Sequence, residues 1–188
     1  MDNNCINTIK DMTNILLISE DTLKTYSHLN DNVWGKSLTP AIITAQDIYL
    51  QKFLGSCLYK KVLELVKSGE IRNENYAMYK DLLDNYITNF LIYQTLANLI
   101  PEISTKITNM GLVTSNDEHV QNVTQGERDL VMGQYQKYAD AYCKMMQDFL
   151  KENRDSFPEL NCCGTSPILD SSASSQLFLG GRRGRKLL

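Results

Sequence analysis

The sequence predicts an all-α chain: a helical bundle of about four to five helices, with room for a small β-hairpin insertion at about residues 106–123 and an extended C-terminal tail. Three observations predict it. Apolar residues recur at three- and four-residue intervals over most of the chain. Capping residues punctuate those runs. The 188 residues, 43% apolar and 22% charged, suit one domain with a real core. Residues 1–160 are assigned to the helical domain and 161–188 to a docking tail.

Ser19 followed by Glu20 and Asp21 is a cap with acids in the first turn, and predicts a short helix to about Leu29. Thr39-Pro40 places a capping hydroxyl before a proline, whose missing N–H is tolerated at the first helical position. A helix is expected from 40 to about 53, with Ile42, Ala45, Tyr49 and Phe53 on its apolar face. Gly55 reads as a C-terminal glycine and Ser56 as a new cap; Leu58, Val62, Leu65 and Val66 carry the next piece to Ser68-Gly69. A long pattern through Tyr76, Tyr79, Leu83, Tyr86, Ile87, Phe90, Leu91 and Ala97 is expected to stop before Pro101. Thr124 and Glu127 have capping-box spacing and open a second long helix to about Asn153. Its expected apolar face is Leu130, Val131, Tyr135, Tyr138, Tyr142, Met145, Phe149 and Leu150. Between the two, the polar cluster Ser115–Glu118, flanked by Leu112-Val113 and Val120, suggests the turn of the hairpin. After Pro158 the residues are too small and polar to offset the entropy of ordering, so the tail is expected to order only against a partner.

Charge and motifs narrow the function classes. Nineteen basic against 22 acidic residues give a net charge of −3, which excludes a chain-wide polycation. Arg182, Arg183, Arg185 and Lys186 fall in the last seven residues, so residues 1–181 hold 15 basic and 22 acidic side chains, a net −7, and the tip holds +4. No apolar run approaches the roughly 20 residues of a membrane span. Asp2, Asp11 and Glu20 in place of a basic start argue against secretion and for synthesis in cytosol. Cysteines at 5, 57, 143, 162 and 163 are an odd set without framework spacing, as expected of reduced thiols. His28 and His119 sit in no ligand pattern, so neither metal nor cofactor is expected. Residues 180–186 lack Walker spacing and no G-x-S-x-G elbow occurs, so an enzyme is not expected. Tyr76, Tyr79, Tyr86, Tyr93, Tyr135, Tyr138 and Tyr142 have helical spacing with aliphatics between, which favours core rims or interfaces over base stacking. In the tail, Leu177, Phe178 and Leu179 read as apolar anchors and Arg182, Arg183, Arg185 and Lys186 as a charged latch, the pattern of a docking peptide. The alternative is a small helical nucleic-acid-binding or regulatory protein whose Arg-rich arm contacts phosphate.

Three segments go beyond generic helix chemistry. Residues 15–26, then Leu38–Leu50 with Ala45-Gln-Asp-Ile-Tyr-Leu50, then Phe53–Tyr59 with Leu54-Gly-Ser-Cys-Leu-Tyr59, together resemble head-to-tail connector (adaptor) proteins of tailed bacteriophages. The likeness is greatest to those of crAss-like and other Bacteroidetes phages. It covers about the first 70 residues well and the two long helices in outline. The resemblance implies a structural virion protein without catalytic residues or cofactor, located in the head–tail neck and assembled in host cytoplasm. It implies a homo-oligomeric ring, twelvefold, beneath the portal protein, bound in turn by the next neck or tail ring protein. Packaged DNA would pass through its lumen without sequence-specific binding, and an acidic wall would let it slide. The C-terminal segment, here residues 163–188, would engage the portal or a neighbouring subunit.

Overall fold

The computed structural model describes residues 15–27, 29, 33, 35–103, 105–108, 111–114 and 124–161. It is an all-α bundle with a short hairpin. Helix α1 (Glu20–Thr25) leads to α2 (Gly35–Thr44), a π-helical segment (Ala45–Leu50) and α3 (Gln51–Leu54). Helix α4 (Ser56–Ser68) follows, then two 3₁₀ turns. Helix α5 (Ala77–Asp81), a second π-helical segment (Leu82–Ile87) and α6 (Thr88–Ile103) run on without a break for about 40 Å at 1.5 Å per residue. Strands β1 (Thr105–Thr108) and β2 (Gly111–Thr114) connect to α7 (Gln125–Glu152), which closes on 3₁₀ turns at Arg154–Ser156 and Pro158–Asn161.

Helix α6 is central because its apolar residues point two ways. Phe90, Leu91, Ile92, Leu96 and Leu99 are all buried. On one side α6 packs on α2 and the first π segment, and Phe53 of α3 meets Phe90 edge to face at 5.7 Å. On the other it carries α7 in antiparallel sense: Tyr86 stacks on Phe149 at 4.6 Å, Tyr93 on Tyr142 at 5.6 Å, and the Gln94 and Gln136 amides exchange hydrogen bonds of 3.3–3.4 Å. Fully buried Phe157 joins the far end, against Tyr79 at 5.0 Å and Phe149 at 6.1 Å. Burying an aromatic ring there contributes on the order of 2–3 kcal/mol.

The structure departs from the expected boundaries in instructive ways. Helix α1 ends at Thr25, not near Leu29. Thr25 Oγ1 turns back to the Asp21 carbonyl at 2.7 Å, a local bond that competes with propagation. Helix α2 begins at Gly35, five residues before the expected start, and Pro40 lies inside it. Thr39 is therefore no cap; its hydroxyl donates to Glu20 Oε1 at 2.5 Å and ties α2 to α1. Gly55, at φ 76°, both ends α3 and precedes α4, so Ser56 is the first helical residue and not its cap. Gly69 takes the left-handed conformation expected of a helix-ending glycine, φ 74°. Helix α6 continues through Pro101 to Ile103; the proline is exposed in the last turn, where a single ladder bond is lost. The capping box at Thr124 and Glu127 is formed as expected.

The hairpin closes elsewhere than expected. Leu112 and Val113 pair with Ile107 and Lys106, across residues 109–110, so the turn is not at Ser115–Glu118. Val120, Ser115 and the tail beyond Asn161 lie outside the described residues.

Candidate assembly surfaces

The segments that carry the sequence resemblance are bonded to one another. A π turn carries one residue more than an α turn, and at Ala45–Leu50 it lets neighbouring Gln46 and Asp47 serve two different partners. Gln46, buried, accepts from the Leu17 N–H at 3.0 Å and donates to the Ile15 carbonyl at 2.8 Å. Asp47 accepts from the Tyr59 hydroxyl at 2.5 Å. Burial, then that bond, pushes the Tyr59 phenol above its ordinary value. Residues 15–18, the Ala45–Leu50 turn and the start of α4 thus form one polar-stitched unit.

Helix α7 has two apolar stripes where one was expected. Ala139, Cys143, Met146, Phe149 and Leu150 are buried. Leu130, Val131, Tyr138 and Met145, expected on the same face, are exposed at 74, 46, 43 and 52%. The physical reason is angular. Residues 139, 143, 146 and 150 face α6, whereas 131, 138 and 145 recur every seven residues on a line about 100° or more around the helix. Tyr135 and Tyr142 lie between the stripes, half-buried, with Tyr93 at 6.4 and 5.6 Å. Tyr138 reaches the same Tyr93 ring at 5.2 Å. Burial, then these three neighbours, raises the Tyr93 pKa. Repeats of Tyr138 and Met145 at heptad distance from Val131 were the signal for a second stripe.

A groove of about 520 Å³ lies between α1 and the second π segment. Leu17, Tyr26, Leu83 and Ile92 supply its apolar lining and Asp84 its charge. Tyr26 is 70% exposed and was not singled out by spacing.

The tail residues Leu177, Phe178, Leu179, Arg182, Arg183, Arg185 and Lys186 lie outside the described residues, as do His28, His119, Cys5, Cys162 and Cys163. Cys57 and Cys143 are free thiols. Burial, with Asp140 nearby, pushes the Cys143 thiol up to about 12, which keeps it protonated and unreactive. Among the described residues no three His, Cys, Asp or Glu side chains gather to hold a metal ion. None of the described helices is long and apolar enough to cross a membrane.

Residues 50–167, more than half of the chain, match the model of a family of unknown function, DUF6712. No curated protein and no solved structure matches significantly.

Proposed function

Because the chain belongs to the DUF6712 family, whose function is unknown, we propose its role from its own residues: it is a structural subunit of a phage neck. It forms an adaptor ring that joins the portal protein to downstream tail components and continues the DNA channel. The observation that carries this reading is the stitched unit. Gln46 bonds to Ile15 and Leu17, and Asp47 to Tyr59, so the segments resembling connector proteins cooperate as one piece. A long helix with an exposed apolar stripe supports it, because a ring subunit needs lateral contact area beyond its own core. The acidic body, −7 over residues 1–181, suits a wall past which DNA slides.

In this reading the tail provides the contact with the portal: Leu177, Phe178 and Leu179 anchor it, and the four basic residues pair with acidic portal surface. The test mixes the full chain with the portal protein of the same genome and follows the product by native mass spectrometry. A ring on the portal is expected, and L177S/F178S should weaken binding at least about tenfold, the loss of one good anchor. Unchanged binding sinks the tail assignment. A chain that ignores portal but binds duplex DNA in a steeply salt-dependent way, through residues 180–188, supports the nucleic-acid reading instead.

A further inference from the structure

We propose that Tyr26 is the gate of the groove between α1 and the second π segment: its ring swings in from solvent and its hydroxyl donates to Asp84, which fastens the end of α1 onto that segment. The inference starts from a repeat. Asp47-Ile-Tyr49-Leu50 followed by Phe53 returns later in the chain as Asp84-Asn-Tyr86-Ile87 followed by Phe90. In both copies the aspartate is the third residue of a six-residue π segment whose first and last residues are fully buried. The two phenylalanines meet each other edge to face. Asp47 and Asp84 therefore hold equivalent places in two similar turns. What differs is the partner. Asp47 accepts from the hydroxyl of Tyr59, 12 residues further on. The residue at the same distance from Asp84 is Leu96, which is buried and has no hydrogen to donate. A donor for Asp84 has to come from another element.

The groove supplies one. Six polar side chains line it, and four of them are already engaged. The Ser19 and Thr22 hydroxyls share a hydrogen bond of 2.8 Å, Thr88 Oγ1 donates to the Leu83 carbonyl at 2.8 Å, and Asn89 Nδ2 donates to the Asn85 carbonyl at 2.8 Å. The Tyr26 hydroxyl and the Asp84 carboxylate are the two left without a partner among the described residues. One is a donor and the other an acceptor, and they belong to the two elements that face each other across the groove. The chain joins the same two groups elsewhere, at Tyr59 with Asp47 and at Tyr79 with Glu159. Tyr26 follows the last residue of α1 and is 70% exposed, so a rotation of its side chain moves the ring without unfolding the helix. Inside the groove the ring covers half-buried Leu83, so apolar burial and the charge-assisted bond act together. Closed, the gate fastens the strap from Ile15 to Tyr26 at both ends. Gln46 of the first π segment holds Ile15 and Leu17, and Asp84 of the second holds Tyr26. The gate stands apart from the neck reading, since it involves neither a second copy nor the portal.

Amide exchange at Leu23 and Tyr26 in the full chain, read residue by residue by NMR, tests the gate. Their N–H groups close α1 on the Ser19 and Thr22 carbonyls at 3.0 and 3.1 Å, so their exchange reports how often this helix opens. Tyr26→Phe and Asp84→Ala should each speed it about fivefold, the loss of one hydrogen bond, with unchanged circular dichroism. The double variant should exchange no faster than either single one, because both remove the same contact. A second measurement follows the ring itself. With the hydroxyl-bearing carbon of every tyrosine labelled, the Tyr26 signal is assigned by its loss in Tyr26→Phe. It should move in Asp84→Ala and stay in place in Asp81→Ala, whose carboxylate serves Asn85 instead. Unchanged exchange in either single variant overturns the gate, as do effects that multiply in the double variant. A Tyr26 signal indifferent to Asp84 also overturns it, and would mean that the ring stays in solvent.

Discussion

Gln46 occupies a position that helical spacing from Ile42 would give to an aliphatic side chain, and it is 2% exposed. Its burial is tolerated because both ends of the amide are used, one on the Leu17 N–H and the other on the Ile15 carbonyl. Those two backbone groups have left water and belong to a segment without a ladder of its own. Gln46→Met keeps the volume and removes both bonds, so it should destabilise the chain by about 2–4 kcal/mol, most of it from stranding the Leu17 N–H. Urea denaturation measures this, and a loss under about 1 kcal/mol would mean that water replaces the amide. Gln94 and Gln136 pose the same problem between α6 and α7. Each amide serves the other, and Gln136 also reaches Asp140 at 2.9 Å, so sliding α7 along α6 would strand polar groups in an apolar seam.

The first turns of α7 have little core to hold them. Residues 125–131 are exposed or half-buried, so that end depends on its cap. Thr124 Oγ1 accepts from the Glu127 N–H at 3.4 Å, and the Glu127 carboxylate accepts from the Thr124 N–H at 2.9 Å and its hydroxyl at 2.8 Å. The hydroxyl and then the backbone bond hold the Glu127 carboxyl below its ordinary value of 4.5. Its support is therefore complete above that pH and is lost as pH falls through the lowered value. Thr124→Ala should cost about 1 kcal/mol locally, speeding amide exchange over residues 126–132 about fivefold with little change in global unfolding. An equal slowing or no change across that stretch would show the turn is held by something else. This cap was legible in the sequence because its chemistry is local. Pro40 and Pro101 misled for the opposite reason: a local rule placed helix ends there, but α2 packs along α6 and α6 along α7, and each helix tolerates one lost ladder bond. The second stripe of α7 was also written in the sequence, at seven-residue intervals. Which of two apolar faces meets α6 depends on tertiary packing, and spacing alone merged them. The groove at Tyr26 had no linear signal, since its residues come from α1 and a π turn far along the chain.

Across the whole molecule, two phenols fasten distant parts of the fold. Tyr59 joins α4 to Asp47 in the π segment, and Tyr79 of α5 donates to Glu159 at 2.7 Å in the closing turn, beside Phe157. Burial, then the carboxylate each hydroxyl serves, raises both pKa values above the ordinary 10.0. The unfolded chain gives up these protons near pH 10 while the folded chain still holds them, so unfolding in alkali releases protons. Stability from these groups is fully present below about pH 10 and declines as pH rises toward the folded values, by at most about 1.4 kcal/mol per pH unit for each phenol. Buried Cys143, raised from 9.0, adds to the same decline from a lower pH. The consequence is a chain whose thermal midpoint is flat through neutrality and falls steeply above about pH 10. Tyr59→Phe/Tyr79→Phe removes both titrating groups but keeps the rings. That variant should start less stable, because Asp47 and Glu159 each lose a donor, and should show a shallower alkaline slope. Calorimetry between about pH 8 and 11 would read both. An unchanged slope would mean that the phenols ionise in the folded chain as they do in water, and that the two fastenings open before the bundle does.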